Sequence, residues 1–104
     1  MKLNITNRIS DDSSQHGNKR FERNVFTLLK RNDVFGEVVC VDAGIIGKFD
    51  TFATIEINKK SFRLTKKNTF IGKVETAKEK RKLFFDVLVN QIEYLKTELC
   101  QMQN

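Results

Sequence analysis

Between Phe49 and Lys67 the chain alternates. Ala53, Ile55 and Ile57 fall on one side of an extended backbone, and Phe52, Thr54 and Glu56 on the other. After the polar link Asn58-Lys59-Lys60-Ser61, Phe62 and Leu64 resume the apolar side while Arg63, Thr65 and Lys67 resume the polar one. A two-residue period is the mark of a half-buried strand, because successive side chains leave opposite faces of the backbone. Two such runs joined by a short link make an antiparallel hairpin. Its apolar face needs a second layer, and the rest of the chain must supply one.

Two stretches have the spacing to do so. Phe21, Val25, Leu28 and Leu29 stand at i, i+4, i+7 and i+8, which predicts a helix over 18–32. Asn18, Ser13 or Ser14 can cap its start, and Asn32-Asp33 followed by Gly36 ends it. Phe26 is an extra apolar residue on this helix. Further on, Thr76-Ala77-Lys78-Glu79 has the form of a capping box, in which hydroxyl and carboxylate satisfy the first free amides of a helix. Phe84, Leu88, Ile92, Leu95, Leu99 and Met102 then keep helical spacing almost to the C-terminus, with Phe85 and Val89 widening the face. This predicts one long helix whose lysine-rich first turns project beyond the core.

The remaining pieces complete the sheet. Glu37–Ala43 is a short β-branched run suited to a buried strand, Gly44-Ile45-Ile46-Gly47 turns the chain, and Phe70–Val74 offers a short fourth strand. Residues 1–17 are read as a flexible arm, tied down only where Leu3 and Ile5 meet a sheet edge. The expected fold is α+β. It has an N-terminal helix, a three- or four-stranded antiparallel sheet and a long C-terminal helix, with both helices on one sheet face. A length of 104 residues fits one domain, spanning 18–104. With no proline anywhere, glycine, asparagine and aspartate must punctuate the elements.

Cys40 and Cys100 lie in apolar runs with no C-x-x-C pairing, so both are read as buried free thiols. No apolar run approaches membrane-spanning length, and the N-terminus lacks an apolar segment of signal-peptide length. A cytoplasmic location is expected.

Charge gives the strongest functional signal. Residues 59–82 hold ten basic side chains against Glu75 and Glu79, a net +8, whereas the whole chain is +6. A field this concentrated attracts polyanions. Arg63, Lys66, Lys67, Lys73, Lys78, Lys80, Arg81 and Lys82 are the expected nucleic-acid-binding residues, contacting phosphates and displacing counterions. The first helix is basic too and extends the belt. Base readout is less supported: Asn68 and Thr69 can reach a base edge, but no motif fixes them there. DNA or RNA is the expected partner and the activity is expected to be non-enzymatic. The alternative is an accessory or inhibitor protein whose basic face docks on an acidic protein surface.

The element order resembles that of the double-stranded RNA-binding domain, over roughly Asn18 to Leu99. The best-matching stretch is Phe52-Ala-Thr-Ile-Glu-Ile-Asn58, followed by Gly72 and Ala77-Lys78. The resemblance implies a phosphate clamp made by Lys78, Lys80 and Lys82, with the first helix in a minor groove. Val74 and Glu75 replace the lysines that family prefers, Arg81 and Lys82 replace its paired alanines, and Pro-x-His is missing before the second strand.

A metal-dependent nuclease is the less favoured third reading. Asp50 and Glu56-Ile57-Asn58-Lys59 approach the carboxylate pattern that holds Mg²⁺, but Asn58 stands where the lysine belongs. His16, the sole histidine, has no triad or metal partners in the sequence, and no glycine-rich phosphate loop exists, so no cofactor is expected. The apolar surplus of the last helix suits either the first helix or a second copy of the chain, making a homodimer through the C-terminal helix an expectation.

Overall fold

The computed structural model describes residues 1–9, 15–67 and 72–102. In chain order the elements are β1 (Leu3–Asn7), α1 (Gln15–Arg31), β2 (Gly36–Ile46), β3 (Asp50–Ile57), β4 (Lys60–Lys66), α2 (Ala77–Asn90) and α3 (Ile92–Met102). The fold is α+β with three helices and a four-stranded sheet ordered β1-β2-β3-β4.

The sheet is mixed rather than antiparallel, because β1 runs parallel to β2, pairing Leu3 with Gly36 through to Asn7 with Cys40. The first helix consequently follows a strand and serves as the crossover that parallel neighbours require. Leu3 and Ile5 have found their sheet edge, so the fourth strand comes from the N-terminal segment. Residues 72–76 form no strand, while Phe70 lies outside the described residues. Ser13 and Ser14 also lie outside them, and Asn18 sits within α1 rather than before it.

The alternation between Phe49 and Lys67 sorts side chains as expected. Thr51, Ala53, Ile55 and Ile57 are buried, as are Phe62 and Leu64 on the neighbouring strand, and cross-strand partners share the face: Ile55 with Phe62, Ala53 with Leu64. Asn58 and Lys59 both have positive φ, 52° and 71°, which gives the type I′ geometry that matches strand twist. Chain reversal between β2 and β3 falls later than Gly44, at residues 47–49, and Gly47 takes the positive φ there. Between Cys40 and Asp42 the β2–β3 register shifts, a bulge that leaves both Cys40 and Ala43 buried.

Helices α1 and α2 cover the same sheet face. Val25 and Leu29 from α1, Phe84, Val87 and Leu88 from α2, and Val38, Cys40, Ile55 and Leu64 from the sheet form one core. Phe21 and Phe84 join the helices edge to face, ring centroids 5.6 Å apart at 75°. The expected single C-terminal helix is broken at Gln91 (φ −110°, ψ 18°). α2 crosses the sheet obliquely. Near its start Lys80 reaches Asp42 of β2, and farther along Asp86 meets Lys66 of β4. Beyond β4 there is no sheet left to cover, and the break lets Ile92 and Leu95 return to the core while Tyr94 remains exposed. The far end of α3, through Lys96, Leu99 and Cys100, adjoins Asn32, Asp33 and Val34 after α1.

Cys40 is buried and free, and desolvation, with a smaller contribution from the Glu22 carboxylate, pushes its thiol up to about 12. Cys100 is free and exposed, contrary to expectation. No helix among the described residues is long and apolar enough to cross a membrane.

Candidate nucleic-acid interface

Folding divides the basic belt into four groups and a separate pair at the β3–β4 turn. Arg81 goes inside. It is 4% exposed and its Nη1 donates to the Ile9 carbonyl at 3.4 Å, fastening α2 to the segment after β1. That removes it from the surface on which the sequence places it. Lys66 and Lys80 are held in ion pairs, Lys66 Nζ to Asp86 Oδ2 at 2.9 Å and Lys80 Nζ to Asp42 Oδ1 at 3.3 Å. Their charges are partly neutralised and their side chains tie α2 to the two flanking strands.

The third group surrounds the start of α2. Thr76 and Glu79 close the expected capping box: Glu79 N donates to Thr76 Oγ1 at 3.1 Å, and Thr76 N donates to Glu79 Oε1 at 3.1 Å. The Thr76 hydroxyl (2.9 Å) and the Glu75 amide (3.3 Å) donate to the same carboxylate oxygen. These bonds hold the Glu79 carboxyl below its ordinary range, the Thr76 hydroxyl contributing most, then the backbone amides, with Lys73 adding a smaller attraction. This box fixes the helix start and hence the directions in which Lys78 and Lys82 leave it. Lys78 and Lys82 line a groove of about 270 Å³ between α1 and α2, together with Arg20, Asn24 and Phe85. Lys82 also borders a second depression, of about 330 Å³, with Lys73 and Val74.

Arg20, Lys78 and Lys82 are exposed and make no ion pair among the described residues. The nearby acids are already engaged, Glu79 in the cap and Asp86 with Lys66. From sequence alone the first helix is only a general extension of the belt. Its basic character at Arg20 was legible, but the facing of Arg20 and Lys78 across one groove required the fold.

The fourth group lies at the β4 edge. Arg63, Thr65 and Lys67 project from the sheet face that the helices leave open, and they line a cleft of about 460 Å³ with Gln91 and Tyr94. The Arg63 guanidinium rests on the Phe52 ring, 4.4 Å from its centroid. Phe52 in turn lies over Gly44, where a Cβ would come within 2.9 Å of the ring. Lys59 and Lys60 sit apart, at the β3–β4 turn. Asn68 and Thr69 lie outside the described residues.

The carboxylates of the nuclease reading are not brought together. Asp50 and Glu56 are six residues apart on β3, about 20 Å at the rise of an extended strand. Glu56 meets Arg8 at 3.8 Å. No group of three or more histidine, cysteine or acidic residues suited to a metal ion occurs among the described residues. The element order also parts from that of the double-stranded RNA-binding domain, since β1 precedes α1 and is hydrogen-bonded into the sheet. Comparison with known protein families, curated proteins and solved structures finds no match to this chain.

Proposed function

We propose that this protein binds nucleic acid through the phosphate backbone without catalysing a reaction. Lys78 and Lys82 on α2 and Arg20 on α1 make the principal contacts, Lys73 supports them at the margin, and Arg63 and Lys67 extend the field at the β4 edge. One observation carries this reading. The exposed cations of the α1/α2 groove have no ion-pair partners among the described residues, while the adjacent Glu79 and Asp86 are committed elsewhere. Cations left free around one groove retain their full attraction for a polyanion, whereas paired lysines have spent much of theirs.

Fluorescence anisotropy with labelled oligonucleotides over a salt series tests the proposal. Several phosphate contacts give a log–log slope of several units, because each releases about 0.7–0.9 counterions. Replacing Lys78 and Lys82 together by glutamine is expected to flatten the slope by about 1.5 units. Absence of binding to any nucleic acid at low salt would refute the proposal.

A further inference from the structure

We infer that the cleft between β4 and α3 receives an unpaired nucleobase, stacked on Tyr94 and flanked by phosphates held by Arg63 and Lys67. The ligand class is therefore single-stranded nucleic acid, and this inference rests on the nucleic-acid reading above.

Its chemistry begins with the lining. Arg63, Thr65, Lys67, Gln91 and Tyr94 surround the cleft, two cations with no carboxylate among them. A volume of about 460 Å³ falls within the span of small-ligand sites, about 300–1,000 Å³. Arg63 lies in β4 and Lys67 follows its last residue, so their Cα atoms are separated by at most about 13 Å. That spacing suits two phosphates of a chain better than one bound anion. Arg63 is the more ordered of the pair, because its stack on Phe52 sets the guanidinium plane and less freedom remains to be lost on binding.

Tyr94 distinguishes this cleft from a simple anion site. It is 51% exposed, a large aromatic left in solvent beside two cations. It stands in the first turn of α3, just past Gln91: Ile92 and Leu95 face inward, and Tyr94, between them in sequence, is left on the outer side of α3. An exposed ring amid positive charge is the arrangement on which single-stranded nucleic acids stack, since every base has a π-face. In a duplex those faces are occupied by neighbouring base pairs, so the ring can serve only an unpaired base. Thr65 and Gln91 add polar side chains at the rim.

The chain has one tyrosine and no tryptophan, so its tyrosine fluorescence reports on this cleft alone. Oligothymidylate is expected to quench Tyr94, while a duplex of equal charge and an abasic phosphodiester of equal length bind with little quenching. Tyr94→Ala is expected to weaken oligothymidylate binding about 5- to 150-fold, the equivalent of one lost stacking contact, and to leave binding of the abasic oligomer unchanged. Tyr94→Phe, which keeps the ring, should restore the affinity. Circular dichroism of each variant guards against loss of fold. Salt-sensitive binding with no quenching and no effect of Tyr94→Ala overturns the base site and leaves the backbone reading standing. Failure of every oligonucleotide to bind at low salt overturns both.

Discussion

On the helix-covered side of the sheet Val38, Cys40, Ile55 and Leu64 are almost wholly shielded, whereas their sequence neighbours Val39, Thr54, Glu56 and Arg63 keep contact with solvent. The same strands supply both sets: alternate residues leave opposite sides, with the alternation reset once at the bulge between Cys40 and Asp42. On the covered side, side chains are selected for volume and fit. On the open side and around the helix groove, they are selected for charge and reach. The basic belt straddles the two, so a lysine or arginine has a different fate according to the side on which it emerges. Arg81 became a structural bolt, Lys66 and Lys80 became struts, and Lys78, Lys82, Arg63 and Lys67 remain free for partners.

Truncating each side tests this division. Phe84 is fully buried at the meeting point of both helices, and Phe84→Ala should cost about 3–5 kcal/mol in urea unfolding. Phe52→Ala, on the open face, should cost about 1 kcal/mol. Equal losses would mean that the open face is as well packed as the covered one. Comparable in size is Thr76→Ala, expected at about 1 kcal/mol through loss of the helix cap. Its pH dependence follows from Glu79, whose carboxyl is held below 4.5 in the folded protein. A depressed carboxyl contributes stability that is present above 4.5 and lost as the pH falls through the depressed value. The gap between wild type and Thr76→Ala should accordingly be constant near neutrality and narrow in acid. Smallest is Lys66→Ala, which removes a surface ion pair and should cost no more than about 1 kcal/mol. Lys78→Ala should leave the unfolding midpoint in place and weaken only nucleic-acid binding.

Much of the core was legible in the sequence because its cause is local. Period-two alternation put Ile55 and Leu64 inside and Arg63 outside, and Thr76 and Glu79 announced the start of α2 from four adjacent residues. What escaped depends on distant partners. β1 has only Leu3 and Ile5 as apolar residues, too few for a period, and its hydrogen-bond partners lie 33 positions away. Arg81 looks like any surface arginine until the Ile9 carbonyl, 72 residues earlier, arrives beside it. The break at Gln91 is hidden as well, since Leu88, Ile92, Leu95 and Leu99 keep a spacing that an unbroken helix would also satisfy. The candidate site inherits this pattern. Its cations could be named in advance, but the company they keep, Arg20 with Lys78 and Tyr94 with Arg63, is a product of assembly.

The parallel edge strand also has a consequence for how the molecule forms. Strands β2, β3 and β4 zip through tight turns, Ile46 against Asp50 and Ile57 against Lys60. Closing the loop from β1 to β2 costs about 2 kcal/mol more in chain entropy than closing the first of those hairpins. The meander can therefore exist before β1 joins it, and β1 is the natural unit of partial opening. While β1 is detached, the Gly36–Cys40 edge of β2 is a bare template on which the same strand from another molecule could pair, exchanging one subunit's first strand for its neighbour's.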